Sequence, residues 1–265
     1  MEKIDYGNTK GGLPKVIPLT SDQLPQGNYR ADGVVLRRRE TSPKSGDCLL
    51  FLRGMGALWA GAPGPGSRFG GATEPMTWGS FILYQGPRRL YLKGVDIAED
   101  FLSLRGSKKT LLCAAGWCRE LGARLPLGHE NDGVLSLFWG SMTNLSKGLS
   151  PALLDVRFAW RWANIWGVAP SLDNCPACGS ILITGKEAAM TESGFLCGAC
   201  RSGASSASYR AVSPEAFDII KLACLSSADA FARAEPEARE FLAASPKIAR
   251  EAADVASRLF VFLRM

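Results

Sequence analysis

Short runs of apolar residues, separated by turn-forming residues, fill the first hundred residues of the chain. Each run ends near Gly, Pro, Ser or Asp, which is typical of β-strands bounded by turns. Five strands are predicted, at residues 34–39, 48–52, 54–60, 77–84 and 88–95. Because no helical stretch separates them, they predict a small β-barrel. Residues 61–75 are rich in Gly and Pro and are predicted to form a loop.

The fifth predicted strand alternates in an informative way. Leu90 and Leu92 point to one face, because successive side chains of a strand lie on opposite sides. Arg89, Tyr91 and Lys93 then share the other face. Two cations around an aromatic ring suit a single-stranded nucleic acid, since cations neutralise phosphate and rings stack bases. The same alternation also serves an ordinary solvent-facing strand.

From about residue 96 the apolar period becomes helical, with predicted helices at 111–125 and 134–145. A third helix is predicted to open at Ser150-Pro151, and its apolar residues cover most of its circumference. Such a helix is predicted to lie at the centre of a helical domain, with its tryptophans in the core. A partly exposed pocket beside its arginines would instead suit a peptide with an acidic, aromatic end. Its polar stripe consists of Arg157, Arg161 and Asn164.

Further helices are predicted near the C-terminus. One opens at Ser213-Pro214, a short one covers 235–244, and the last opens at Pro246 with a regular apolar stripe. Charged residues four positions apart on the last helix predict a ladder of intrahelical ion pairs. These residues are Arg250, Asp254 and Arg258.

Four cysteines form two Cys-x-x-Cys pairs, Cys175/Cys178 and Cys197/Cys200. This spacing predicts a four-thiolate zinc site, which leaves no open position for chemistry and is therefore structural. Residues 181–184 and 194–196 between the pairs are predicted to form a hairpin. Two disulfides, four free thiols or a redox-active pair are the alternatives, and nothing around either pair resembles the βαβ unit of a redox protein.

Charge is unevenly distributed along the chain. Of its 31 Lys and Arg and 25 Asp and Glu, residues 1–110 hold sixteen bases and ten acids, so the whole net charge of +6 lies there. A local basic excess favours a polyanion or an acidic partner, and an ordinary solvated surface is the plainer interpretation.

Few arrangements that support enzyme catalysis are present. The chain has one histidine, His129, in a predicted loop, and it lacks the P-loop, Gly-x-Ser-x-Gly and His-Glu-x-x-His motifs. A non-enzymatic protein is therefore predicted. No signal peptide and no membrane-length apolar run are apparent, which predicts a cytoplasmic protein with reduced thiols and no membrane partner.

These patterns predict an α+β protein. Its predicted parts are a leader (1–29), a barrel domain (30–98), a first helical part (99–172), a cysteine ribbon (173–203) and a second helical part (204–265).

In this order the chain resembles the RecO family of bacterial recombination mediators. Residues 33–41 (GVVLRRRET) are similar to the family's opening strand and turn. Arg157-Phe158, followed by 166–172 (WGVAPSL) and Cys175, is similar to a second family element, and the two Cys-x-x-Cys pairs match its zinc-bearing members. Ser45-Gly46-Asp47 stands where the family usually has a Gly-Glu-x-Asp-like step, and residues 61–75 are poorer in Lys and Arg than the family leads us to expect.

The resemblance implies an N-terminal OB-fold barrel, a helical domain and one structural Zn²⁺ held by Cys175, Cys178, Cys197 and Cys200. It implies binding of single- and double-stranded DNA, strand annealing, and, with RecR, loading of recombinase onto strands coated by single-strand binding protein. Its setting would be the cytoplasm, at the nucleoid. The cations that would hold phosphate are Arg37, Arg38, Arg39, Lys44, Arg88, Arg89 and Lys93.

Arg157 and Arg161 would meet the acidic C-terminal tail of single-strand binding protein. The alternative hypothesis is a zinc-ribbon adapter between proteins that does not itself bind nucleic acid.

Overall fold

The computed structural model describes residues 24–42, 45–64, 71–203 and 209–263. Its N-terminal part is a closed barrel with the strand order β1-β2-β3-β5-β4. All pairs are antiparallel except β3 with β5, which are parallel through Ala60–Leu90 and Gly61–Tyr91. This is the arrangement of an OB fold, so the predicted fold class is confirmed. The strands are β1 (Gly27–Ser42), β2 (Ser45–Leu52), β3 (Gly56–Pro63), β4 (Trp78–Gln85) and β5 (Leu90–Glu99).

The first strand closes the barrel because it is long enough to pair on two sides. The N-terminal half of β1 pairs with β4 and its C-terminal half pairs with β2. At Gly33, where the two pairings meet, a Cβ atom would lie 2.1 Å from the carbonyl oxygen of Phe51, so the crossing requires glycine. β1 begins at Gly27 and so takes its first residues from the segment predicted as leader, whose lack of alternation hid them.

The barrel interior is filled by alternate residues of all five strands. Leu50, Leu58, Phe81 and Leu90 are among those with no exposed surface. β5 continues to Glu99, beyond the point at which the sequence predicted a change to helix. Register shifts between Leu92 and Gly94 and between Ile97 and Glu99 interrupt the alternation that would have marked it as a strand.

Seven helices follow the barrel within the described residues. The third, α3, packs against α2, α5 and α7, and its Phe158 and Trp162 have no exposed surface, which confirms the prediction that it is the central helix. The helices are α1 (Lys108–Arg124), α2 (Asp132–Ser146), α3 (Pro151–Ile165), α4 (Gly198–Ser202), α5 (Pro214–Leu225), α6 (Ala228–Ala244) and α7 (Pro246–Leu259).

Two expectations for the C-terminal helices are wrong. Helix α6 begins at Ala228, seven residues before the predicted start, and contains Pro236 in its interior. Ser227 caps it by accepting a hydrogen bond from the Ala230 N–H, and burial of Phe231 on the first turns offsets the bond that the proline removes. On α7, Asp254 forms its ion pair with Arg210, 3.3 Å away on a neighbouring strand, and not with the arginines of its own helix.

A second hydrophobic core lies between the barrel and the helices. The outward side chains of Val34, Leu49 and Phe51 belong to the same cluster as α1, α2 and α3. The loop before α2 docks on the barrel, where the Asp132 carboxylate accepts a hydrogen bond from the Gly54 N–H at 2.8 Å. In the part of the chain that the structure describes, none of the helices has both the length and the apolar character required to cross a membrane.

Candidate metal centre and nucleic-acid interface

The four cysteines of the two Cys-x-x-Cys pairs meet in space. Their sulfur atoms all lie within 4.8 Å of one another, and the Sγ atoms of Cys178 and Cys197 are 3.7 Å apart. Four thiolates bound tetrahedrally at about 2.3 Å from zinc would be separated by about 3.8 Å. The donor set and its spacing therefore fit one zinc ion.

The first half of this centre is the pair Cys175 and Cys178, which a tight backbone turn holds in position. Gly179 adopts a left-handed conformation (φ 73°), which lets its N–H donate to the Cys175 carbonyl oxygen at 2.8 Å. The Cys175 N–H in turn donates to the Ser180 carbonyl oxygen at 2.8 Å. This tight turn directs both thiols of the pair to one point.

The second half is supported by a hairpin whose position differs from the prediction. Strands β6 (Ala188–Thr191) and β7 (Gly194–Cys197) form it, and Cys197 is the last residue of β7. Residues 181–184 are not a strand, because Ile181 pairs only with Asn174 and its side chain is exposed. β-Branched residues suggested a strand there, but Ala188, Ala189 and Met190 occupy the buried positions.

The pKa values of two thiols in the centre are shifted in opposite directions. The Cys200 N–H and the Ser180 hydroxyl bond the Cys197 sulfur and lower its pKa to about 6. Thiol contacts with Cys178 and Cys197 raise the pKa of Cys200 to about 12. Crowded thiols resist joint ionisation, and a divalent cation would remove that conflict.

The centre is tied to the helical domain. β6 pairs on its other side with β8 (Arg210–Val212), which leads directly into α5. Phe195 of β7 packs on Phe217 of α5, with ring centroids 5.4 Å apart. Glu251 of α7 accepts hydrogen bonds from both the N–H and the hydroxyl of Ser213. The arrangement suits a structural role, in which a metal would hold the ribbon against α5.

The second candidate site lies on the outer surface of the barrel. Strand register places five residues in one row across it: Arg39, Asp47, Gly61, Tyr91 and Tyr84. Directly paired residues of a sheet point to the same face, so this row lies on a single surface.

Cations and aromatic rings are paired on this surface. The Arg39 guanidinium lies 5.0 Å from the ring centroid of Trp59, and that of Arg89 lies 4.8 Å from the ring centroid of Tyr91. The ammonium group of Lys93 is 5.4 Å from the ring of Tyr84 and 5.6 Å from that of Tyr91. These are cation–π distances. We call the surface formed by Arg39, Trp59, Tyr84, Arg89, Tyr91 and Lys93 the aromatic–cationic face.

Asp47 and Gly61 position two of the cations. The Asp47 carboxylate is 3.2 Å from Arg39 Nη2 and 3.8 Å from Arg89 Nη1. A Cβ atom on Gly61 would lie 2.7 Å from Arg89 Nη2, so the guanidinium occupies space that only glycine leaves free. Both arginine side chains remain more than half exposed, which leaves N–H donors available to a ligand.

The other predicted phosphate ligands are placed differently. Arg37 and Arg88 are exposed, and Arg88 precedes β5 in the turn after β4. Arg38 is half-buried and donates to the Pro63 carbonyl oxygen and the Thr73 hydroxyl. Lys44 lies outside the described residues.

Arg157 and Arg161 form contacts at the C-terminal end of α5. Arg157 Nη1 donates to the carbonyl oxygens of Ala223 (2.6 Å) and Ser226 (2.9 Å), and Arg161 Nη2 donates to that of Ser226 (2.7 Å). Burial, and then the charge of Arg161, lower the pKa of Arg157 to about 10. Cations at a helix C-terminus interact favourably with its dipole.

Several residues of the face were missed by sequence reasoning. Trp59, Tyr84 and Gly61 lie in predicted strands or next to them, and alternation was examined only in the fifth strand. The same alternation in the third and fourth strands would have placed Trp59 and Tyr84 outward. The link between Gly61 and Arg89 depends on the parallel pairing of β3 with β5, for which local sequence holds no signal.

Comparisons with known proteins agree with this architecture. The family model "Recombination protein O C terminal" matches residues 109–245, which include the cysteine centre. "DNA repair protein RecO" of Rubrobacter xylanophilus is 31% identical over 184 residues, which is 66% of this chain and 73% of the relative. The proteins of the same name from Acetivibrio thermocellus and Desulforamulus reducens are 27% and 28% identical over 178 residues, 65% of this chain and 71% and 68% of the relatives.

Proposed function

The chain belongs to the RecO family of DNA repair proteins, and on that premise we propose that it is a non-enzymatic mediator that binds single-stranded DNA on the aromatic–cationic face. Phosphates would contact Arg39, Arg89 and Lys93, with Arg37 and Arg88 at the margins. Bases would stack on the rings beside these cations.

One observation carries this proposal. Three cations lie within cation–π distance of three rings, on one surface that spans four strands. The β4–β5 connection, one of the loops with which OB folds bind oligonucleotides, carries Arg88 and Arg89. Arg38 is a weaker candidate because its guanidinium bonds the barrel's own groups.

Annealing follows from the same chemistry. It requires that phosphate charge be neutralised and two strands be held together, and no covalent step is needed. Double-stranded DNA, RecR and single-strand binding protein are the proposed partners, in the cytoplasm at the nucleoid. Arg157 and Arg161 would receive the acidic tail through N–H groups that their carbonyl contacts leave free.

Zinc is the proposed ion at Cys175, Cys178, Cys197 and Cys200. Its chemistry there would be to link four thiolates and thereby to fix the ribbon, since a four-cysteine centre has no open coordination position. The sulfur spacing supports this assignment.

The test is a salt titration of binding to single-stranded DNA. If about five phosphates are engaged, the logarithm of the binding constant should fall with the logarithm of salt with a slope of about −3.5. Arg39→Ala with Arg89→Ala should weaken binding and reduce that slope by about 1.4. Arg30→Ala is the matched control, because this exposed barrel arginine is not a residue of the face and is bonded to Ser80 and Asp96. Affinity that is insensitive to salt would refute the proposal.

A zinc-ribbon adapter remains the second candidate because the ribbon exposes Ile181 (72%) and Ile183 (60%). Exposed apolar residues of this size are typical of protein interfaces. This function predicts that the double arginine variant retains all partner binding and that the wild-type chain has no affinity for DNA.

A further inference from the structure

Asp47 positions Arg39 and Arg89, and it also places a negative charge in the middle of the aromatic–cationic face. Its carboxylate lies between the guanidinium groups of Arg39 and Arg89 and is 17% exposed. A phosphate directly above it would be repelled. The part of a nucleic acid that best suits the position over Asp47 is therefore a neutral group that offers a hydrogen-bond donor.

The neighbours of Asp47 identify that part as a base. Gly61, opposite Asp47 on β3, has no side chain, and Tyr91 lies opposite Gly61 on β5. Trp59 precedes Gly61 by two residues and so lies on the same face. The Arg89 guanidinium occupies the space over Gly61. Both rings lie on the same surface as the carboxylate, so a base stacked on Trp59, on the strand next to β2, would direct its polar edge toward Asp47.

The carboxylate also has acceptor capacity to spare. An ionised carboxylate offers about four lone-pair positions. Within the described residues, the groups close to it are Arg39 Nη2 at 3.2 Å from Oδ2 and Arg89 Nη1 at 3.8 Å from Oδ1. It offers no donor, so it can bond the outer N4–H of cytosine, whereas the base donor of thymine or uracil, N3–H, lies between two carbonyls that repel the carboxylate.

We propose that Asp47 is a specificity-determining residue of this face, whose carboxylate accepts a hydrogen bond from the exocyclic amine of an unpaired base. The face then favours cytosine-bearing single strands over those of uracil or thymine. This rests on the proposed DNA-binding function and adds a base preference to it. Arg39 and Arg89 hold the carboxylate in place and bind the phosphates on either side.

The experiment compares oligodeoxycytidine with oligodeoxyuridine of equal length, by fluorescence anisotropy at low salt and neutral pH. These bases have similar shapes and differ in the amine or carbonyl at C4 and in the protonation of N3. We expect the wild-type chain to prefer oligodeoxycytidine by about 2- to 10-fold, as one net hydrogen bond allows. Asp47→Ala should bind both strands with equal affinity.

Asp96→Ala is the matched control. Asp96 is an exposed barrel carboxylate paired with Arg30 at 2.7 Å, outside the face, so its loss removes the same charge and should leave the preference intact. If Asp47→Ala lowers the melting temperature, Asp47→Asn replaces it. The amide both donates and accepts, so this variant should also bind the two strands equally.

Three results distinguish failure of the Asp47 proposal from failure of the DNA-binding proposal. Equal wild-type affinity for both strands would overturn the role of Asp47 while leaving DNA binding in place. A preference that persists in Asp47→Ala, with both strands bound more tightly, would likewise overturn it and identify Asp47 as a source of repulsion only. Failure of the wild-type chain to bind either strand would overturn the DNA-binding function itself.

Discussion

Gly61 sets the position of Arg89 at the scale of a single residue. We expect Gly61→Ala to push the guanidinium away from Asp47, because the new Cβ would lie 2.7 Å from Nη2. The clash is with the end of a flexible side chain, so the melting temperature should change little. Affinity for single-stranded DNA should fall several-fold. This corresponds to a loss of about 1 kcal/mol of binding free energy, as expected when one well-placed exposed ionic contact is lost.

The control for this variant is Gly106→Ala, since a Cβ there would meet no atom within 4 Å. Unchanged affinity in Gly61→Ala, measured in the same salt titration, would show that the location of Arg89 over Gly61 does not contribute to binding.

Asp155 is the second residue with a testable consequence. Burial raises its pKa and the charge of Glu120 adds to that effect, while a 2.7 Å hydrogen bond from Trp117 Nε1 opposes it. The folded state therefore holds this proton more tightly than the unfolded state. Its contribution to stability is fully present below the unfolded pKa of about 3.9 and is lost as pH rises through the folded pKa.

Asp155→Asn should remove this loss of stability at higher pH, because the amide still accepts the hydrogen bond from Trp117 but carries no charge. Urea unfolding at pH 4 and pH 7 should show a smaller decrease in stability with pH for the variant than for the wild type. Each unit of pKa shift is worth about 1.4 kcal/mol. Identical pH dependence of the two proteins would show that Asp155 titrates normally.

At the scale of elements, the ribbon depends on its cysteine centre. Strands β6, β7 and β8 have only four, four and three residues, and so small a sheet is not stable alone. Phe195 nevertheless has no exposed surface, because the ribbon is pressed against α5. Bonds from the four thiolates to a metal would therefore contribute to the folding of this segment.

We expect one zinc per chain by elemental analysis, and loss of that zinc with a lower melting temperature in Cys197→Ser. Cys113→Ser is the control, since this half-buried thiol lies outside the centre and near the Pro151 carbonyl oxygen. Unaltered metal content in Cys197→Ser would contradict the assignment. DNA binding by Cys197→Ser should persist if the chain remains folded, because the aromatic–cationic face lies on the barrel.

At the scale of the whole molecule, barrel and helices form one body with two separate sites. Trp78 of β4 packs on Phe138 of α2 with centroids 5.7 Å apart, and Asp132 binds the barrel backbone. The proposed DNA surface and the metal centre lie on different parts of this body. In the proposed function, a metal at the cysteine centre would fix the ribbon against the helices, and the barrel would contact the nucleic acid.

Local patterns in the sequence predicted most of the elements and the cysteine cluster. Alternation and turn residues identified five strands, helical periodicity identified the central α3, and Cys-x-x-Cys spacing identified the four thiols now found within 4.8 Å. Each of these depends on neighbours along the chain. The errors arose where local rules compete, as at Pro236, which lies inside a helix that burial of Phe231 stabilises.

The aromatic–cationic face was decided by tertiary structure. Residues 39, 47, 61, 84 and 91 form one row because β3 pairs in parallel with β5 and closes the barrel, and that pairing joins residues about thirty positions apart. The burial that selects this closure is shared among all five strands, so no local segment specifies it. The sequence thus determined which residue types were available, and the closed barrel decided which cations share a surface with Trp59 and Asp47.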